Sequence, residues 1–201
     1  MADRPRILHP DSGPEPPYPL QMEGTVISGF GRGSKELGIP TANLPVDTSL
    51  TPWIESARSG VYFGWASLAL PTFHPDSSTT TSSTSPLPSA SSSEPTWTSV
   101  YQIHPMVMSI GYNPFYNNSV RSAEVHVLHS FSADFYDAPM RLLIMGYVRD
   151  EKNYEGLAAL IEDINIDCDV ARQSLARDSW TPSQGVVGGS TGTFDGSWLV
   201  R

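Results

Sequence analysis

Residues 60–70 read GVYFGWASLAL. Val, Tyr, Phe, Trp and Leu in one unbroken run are the composition of a β-strand. Residues 23–28, 98–103, 105–112, 123–129 and 141–148 are also rich in Val, Ile, Leu and aromatics. Gly, Pro and Asn punctuate these runs, most clearly in GYNPFYNNS at 111–119. No strand alternates with a helix of ten or more residues, which argues for an antiparallel sheet or closed barrel over a doubly wound α/β fold. One helix stands out near the end. Leu157, Leu160, Ile161, Ile164, Cys168, Ala171 and Leu175 recur at three- and four-residue steps. Asn153 is the expected N-cap, with Glu155 suiting the positive helix end. The helix is expected to lie across the barrel.

The chain of 201 residues suits one domain. Its formal charge of −9 argues against nucleic acid or an anionic membrane as partner, since both would repel an acidic surface. No apolar run is long enough to span a bilayer. The first twenty residues hold six prolines and no apolar signal region, which points to a cytoplasmic protein, expected to be a monomer. Cys168 is the single cysteine, so an internal disulfide framework and a Cys-rich zinc site are both excluded.

Three segments dilute the core. Residues 1–21 read as a proline-rich, disordered tail. Residues 74–96 hold 14 Ser or Thr among 23 positions and only two apolar residues, so they cannot bury enough surface to offset their ordering entropy. They read as a disordered insertion, tolerable because loop-closure cost grows slowly with length. Residues 178–201 carry five glycines and read as a loose tail whose apolar end, Phe194 and 198–200, docks back as a short strand. The folded domain is therefore expected over 22–177.

Residues 29–43, GFGRGSKELGIPTAN, carry the chemistry. Gly29, Gly31 and Gly33 would let backbone N–H groups approach an anion, and Lys35 would add a point charge for a phosphate. Neither the P-loop nor the dinucleotide glycine pattern fits, because Lys35 follows Ser34 and position 34 is not glycine. Taken alone, the loop reads first as a plain turn. Pro40 stiffens the segment leading to Asn43, and in extended chain Thr41 and Asn43 point to one side. A hydroxyl and an amide oxygen are hard ligands of the kind Mg²⁺ accepts, or they tie down a turn. Glu124, His126 and His129 invite a metal reading, but on a strand His129 points away from the other two.

The stretch 29–43 resembles the signature of the eukaryotic riboflavin kinases. GVYFGWA from Gly60, MSIGYNPFY from Met108, SAEVHVLH from Ser122, DFY from Asp134 and MGYVRDEKNY from Met145 look like that family's later blocks, in order. The resemblance runs from about Glu23 to Leu175 and omits the Ser/Thr-rich insertion. It implies a mainly β protein, a six-stranded antiparallel Greek-key barrel with a C-terminal helix. It further implies transfer of the γ-phosphoryl of ATP to the ribityl 5′-hydroxyl of riboflavin, giving FMN. On this resemblance Glu124 is the catalytic base, and Gly29, Gly31, Gly33, Lys35, Val127, His129 and Tyr136 contact ATP. Thr41 and Asn43 take the metal, Mg²⁺ with Zn²⁺ or Mn²⁺ as alternatives. Arg149, Lys152 and Tyr154 face the flavin. Three departures stand out: Asp150 replaces a usual proline, Asp137-Ala138 replaces a common Gly-acidic pair, and Tyr112 stands where Trp is frequent. With only about 22 residues before the motif, no adenylyltransferase step is expected.

Overall fold

The computed structural model describes residues 4–28, 38–77, 97–98, 101–112, 121–185 and 191–201. Six strands form one antiparallel sheet: β1 (Leu20–Thr25), β2 (Ala42–Leu44), β3 (Gly60–Leu68), β4 (Gln102–Tyr112), β5 (Arg121–Val127) and β6 (Pro139–Arg149). Their order is β1-β6-β3-β4-β5-β2, so β3 to β5 form a meander and β6 returns beside β3 in a Greek key. The sheet curls until its edges approach. Just past β1, the Ile27 N–H donates to the Asn43 carbonyl at 2.9 Å, bridging the seam. The expected six-stranded architecture is thus observed, as a curled half-barrel.

The end of the strand expected at 98–103 and the strand expected at 105–112 run together as β4, unbroken from Gln102 to Tyr112. Pro105 sits inside β4 opposite Trp65, beyond Met106, the last residue paired with β5. Its missing N–H costs nothing to the β5 ladder there, and its carbonyl accepts from the Leu128 N–H at 2.9 Å. The three-residue β2 carries no strand signal in the sequence, being too short to show a period.

All nine residues of β3 are buried, which explains its unbroken apolar sequence. Tyr62, Ala66 and Leu68 face the barrel interior with Met106, Met108, Ile110, Val125 and Leu142. Val61, Phe63 and Trp65 face outward into a second core. There the α-helix α1 (Leu157–Leu175) and the chain end cover the sheet through Cys168, Ala171, Leu175, Trp180 and Leu199. Gly64 lies where β3 shifts register against β6, and a Cβ there would come within 2.0 Å of the Leu143 carbonyl oxygen. The N-cap of α1 is Gly156, not Asn153, and it makes no side-chain capping bond.

The expectations for the flanking segments need correction. Residues 4–19 lie against α1 and its C-terminal turn. The Leu8 N–H donates to Ser174 Oγ at 3.0 Å, and Arg177 donates to the Leu8 and His9 carbonyls at 2.7 and 2.9 Å. A proline-rich segment with few internal hydrogen bonds can lie as an extended strap once side chains take up its carbonyls. At the other end, residues 197–200 dock as a 3₁₀ turn, not a strand, and bury Leu199. A parallel bridge joins Pro182 to Phe194. Residues 74–77 also belong to the fold, since His74 is buried and hydrogen-bonded to the Ala133 carbonyl at 3.0 Å. Residues 78–96 lie outside the described residues.

One departure from the family pattern has a conformational meaning. Asp137 adopts φ +64°, the left-handed region that glycine enters without cost. Asp is among the side chains that tolerate it. Asp137→Gly is expected to leave stability within about 1 kcal/mol of the parent, whereas β-branched Asp137→Val should cost roughly 1–3 kcal/mol. Urea unfolding of the two variants checks the difference.

Candidate functional site

Two cavities meet at Thr41, which lines both. The smaller, of about 420 Å³, is walled by Val26, Pro40, Ala42, Val127, His129 and the segment from Phe131 to Tyr136. The larger, of about 780 Å³, lies between the outer face of β4 and β5 and the N-terminal half of α1. The chain enters this junction from Gly38, at φ +72°, and Pro40 then keeps Ile39 extended. Gly29, Gly31, Gly33 and Lys35 lie outside the described residues.

Register fixes the centre of the larger cavity. Glu124 on β5 stands opposite Asn43 on β2 and opposite Ser109 on β4. Directly opposed residues project to one face, so the three form a row across the sheet. His126 lies two residues on, on the same face, and its Nδ1–H donates to the Pro40 carbonyl at 2.8 Å. That bond anchors the bend carrying Thr41. Burial, only partly offset by the Pro40 contact, holds the His126 pKa below its ordinary value, which favours the neutral ring. Asn43 lines neither cavity. It is buried at 5% exposure, and its Nδ2 has no hydrogen-bond partner among the described residues.

The expected ATP contacts Val127, His129 and Tyr136 come together in the smaller cavity, Tyr136 half-exposed at its rim. Its far wall is pinned from outside. The Ser132 N–H and Oγ donate to the Asp76 carboxylate at 2.6 and 2.8 Å, holding the Asp76 pKa below the usual carboxylate range. His129 thus faces a different cavity from Glu124 and His126, and among the described residues no group of His, Cys, Asp or Glu forms a metal cluster.

Arg149, Lys152 and Tyr154 do gather on the larger cavity, but they converge on two aspartates that no sequence motif singled out. Arg149 donates to Asp167 through Nε at 3.0 Å and Nη2 at 2.7 Å. Lys152 Nζ and Tyr154 Oη donate to Asp163 Oδ2 at 2.6 and 2.8 Å. Burial works against ionisation of Asp163. Its hydrogen bonds from Lys152 and Tyr154 and the nearby Arg149 charge outweigh that, bringing its pKa to about 2. The same burial and bond push Tyr154 up to about 12. Asp163 and Asp167 are spaced i, i+4 beside the apolar stripe of α1, the one sign of them in the sequence. Part of that stripe also walls the site: Leu160 and Ile164 are half-buried and line the larger cavity, Ile164 packing at the same time against the second core.

The departures at Tyr112 and Asp150 are locally satisfied. The Arg121 guanidinium sits 4.6 Å from the Tyr112 ring centroid, and Asp150 accepts from Tyr147 and Arg58, each at 2.5 Å.

The geometry has counterparts among known proteins. The family model described as riboflavin kinase matches residues 16–175. A riboflavin kinase of Pyricularia oryzae is 63% identical, over 98% of this chain and 94% of its own length. One of Chaetomium globosum is 55% identical over 99% and 94%. The crystal structure of riboflavin kinase from Trypanosoma brucei superposes with a TM-score of 0.55 at 22% identity, covering 80% of this chain and 82% of that one, a likeness of fold.

Beneath His129 lies His104, buried at 1% exposure, with ring centroids 4.4 Å apart. Burial, and secondarily the His129 charge, lower its pKa to about 4. The unfolded value is ~6.5, so between the two the unfolded chain binds more protons. Stability is therefore full above ~6.5 and falls as pH drops toward 4, by up to about 3 kcal/mol from this residue. His104→Gln should flatten that part of the stability–pH curve, and NMR titration of the wild-type imidazole should place its midpoint well below 6. A midpoint at the ordinary histidine value would contradict it.

Proposed function

The chain belongs to the riboflavin kinase family, and on that footing we propose how its residues carry out the ATP-dependent phosphorylation of riboflavin to FMN. ATP takes the smaller cavity, with its adenine side toward Val127, His129 and Tyr136. Riboflavin takes the larger, its ring against Leu160 and Ile164 of α1 and its polar edge toward Arg149, Lys152 and Tyr154. The ribityl chain then runs toward Thr41, where the phosphates enter from the other side. The observation that carries this reading is the meeting of the two cavities at Thr41, with Glu124 on the wall of the larger one.

Glu124 is the general base. Its carboxylate accepts the proton of the 5′-hydroxyl as that oxygen bonds to the γ-phosphorus. The bond from that phosphorus to the β,γ-bridging oxygen breaks, and ADP leaves. Phosphoryl transfer asks the protein mainly for alignment and charge stabilisation. Ser109 and Asn43 flank Glu124 in the sheet and hold its backbone rigid.

The residues present suit a divalent metal. The Thr41 hydroxyl at the junction and the Asn43 amide are hard oxygen donors, and one end of that buried amide lacks a partner among the described residues. Turning the amide over presents Oδ1 at the same place. Thr41 and Asn43 would hold the ion, Mg²⁺ in preference to Zn²⁺ or Mn²⁺. Bound there, a divalent cation neutralises the charge of the phosphate oxygens. Gly29, Gly31, Gly33 and Lys35 lie outside the described residues, and their part in holding the phosphates rests on the family resemblance alone.

Glu124→Gln is expected to lower kcat roughly 10²–10⁴-fold while quenching riboflavin fluorescence with near-parental affinity. A variant with parental kcat would remove Glu124 from the mechanism. Purified chain given riboflavin, ATP and Mg²⁺ should release FMN and ADP in equal amounts, followed by chromatography. Asn43→Ala should raise the Mg²⁺ concentration needed for half-maximal rate roughly tenfold or more; an unchanged requirement would take Asn43 out of the metal site.

A further inference from the structure

The aspartate pair behind the flavin-side cavity has a fourth partner, supplied by the N-terminal strap. Arg4 donates to Asp163 Oδ1 at 3.1 Å and to Asp167 Oδ1 at 2.5 Å, bridging both acids through oxygens other than the one Lys152 and Tyr154 share. Its reach is built into the fold. The His9 Nε2–H donates to the Tyr147 carbonyl at 3.1 Å, and the His9 ring fills the space where a Cβ on Gly146 would stand, 2.6 Å away. The Trp180 indole N–H donates to the Pro10 carbonyl at 3.0 Å. These contacts fix the strap that delivers Arg4.

Charge counting shows what Arg4 changes. Asp163 and Asp167 are matched by Arg149 and Lys152, one cation for each acid. Arg4 makes a third cation for two carboxylates. The three differ in exposure: the Arg149 side chain is 11% exposed, Arg4 24% and Lys152 48%. Arg149 and Lys152 both line the cavity, and Lys152 is the more exposed of the two, with room to move. Without Arg4, its departure would leave Asp163 and Asp167 sharing Arg149 alone, a buried acid short of a counter-charge. With Arg4 in place both acids stay compensated.

We propose that Arg4 is a positioning residue for the flavin side of the site: it holds the Asp163–Asp167 pair so that the Lys152 ammonium is released to polar oxygens of the bound flavin. This rests on the placement of riboflavin in the larger cavity. Arg4 touches neither substrate.

The test is riboflavin affinity by fluorescence quenching, with steady-state kinetics, on the full chain. Arg4→Met should weaken riboflavin binding roughly tenfold while kcat and the KM for ATP stay within about twofold. Arg4→Lys should recover most of the loss. In Arg4→Met/Asp163→Asn one acid and one cation leave together, and affinity should return close to parental; a structural role for Arg4 would make the double variant worse. Parental affinity in Arg4→Met, or a double variant weaker than the single, overturns the proposal. If Arg4→Met does not fold, the double variant decides alone, its surplus acid being gone. Lys152→Met separates the two levels: unchanged flavin affinity there overturns the flavin placement itself, whereas a weakened Lys152→Met beside a normal Arg4→Met overturns only the part given to Arg4.

Discussion

A carboxylate taken out of water must be met by positive charge, and α1 carries two of them on its covered side. Asp163 and Asp167 draw Arg149 from the end of β6, Lys152 and Tyr154 from the loop after it, and Arg4 from the far end of the chain. That one requirement ties the helix to the barrel at the mouth of the larger cavity. It also explains why basic residues in that loop hold a defined geometry when comparable surface charges would be solvated and mobile. Despite its burial, Asp163 is held well below the usual carboxylate range by Lys152, Tyr154 and Arg149, so the tie is in place at neutral pH.

The barrel contributes a different kind of order. Its sheet is covered on both faces at β3, by the interior core on one side and by α1 with the chain end on the other. Rigidity there passes outward through register. β4 is locked to β3 by a ladder nine residues long, β5 is locked to β4, and β5 in turn fixes the short β2. Glu124 and Asn43 are therefore opposed by sheet geometry, and the bend at Pro40 has only to bring Thr41 to the junction. His126 anchors that bend from the same strand. The residues given to the base and the metal thus share one rigid element with the cavity junction, which suits a reaction whose barrier is lowered by alignment.

Much of this was legible in the sequence, and the failures have identifiable causes. Long apolar runs announced β3 and β6, but the run through Pro105 was divided, because proline is read as a break unless one knows that the neighbouring ladder has already ended. β2 has three residues and no period to detect. The helix was found by its stripe, yet the stripe's two uses, core toward Leu175 and cavity wall at Leu160 and Ile164, look alike in sequence. Composition alone misjudged residues 4–19. Prolines and few apolar side chains suggest a chain with nothing to bury, and the bonds that hold it come from Ser174, Arg177 and Trp180 more than 160 positions away.

By itself the sequence determined the family and the strand-rich class, and it supplied the residues proposed for the site, because ordered motifs and residue chemistry are local properties that survive without coordinates. It named Thr41, Asn43, Glu124, Arg149, Lys152 and Tyr154 one by one. Only the tertiary structure decided which of them meet: that Glu124 stands across from Asn43, that two cavities join at Thr41, and that Arg149, Lys152 and Tyr154 share a pair of buried acids with Arg4. Those relations depend on strand register and on which flank of a helix is covered. Both are set by packing between segments far apart in the chain.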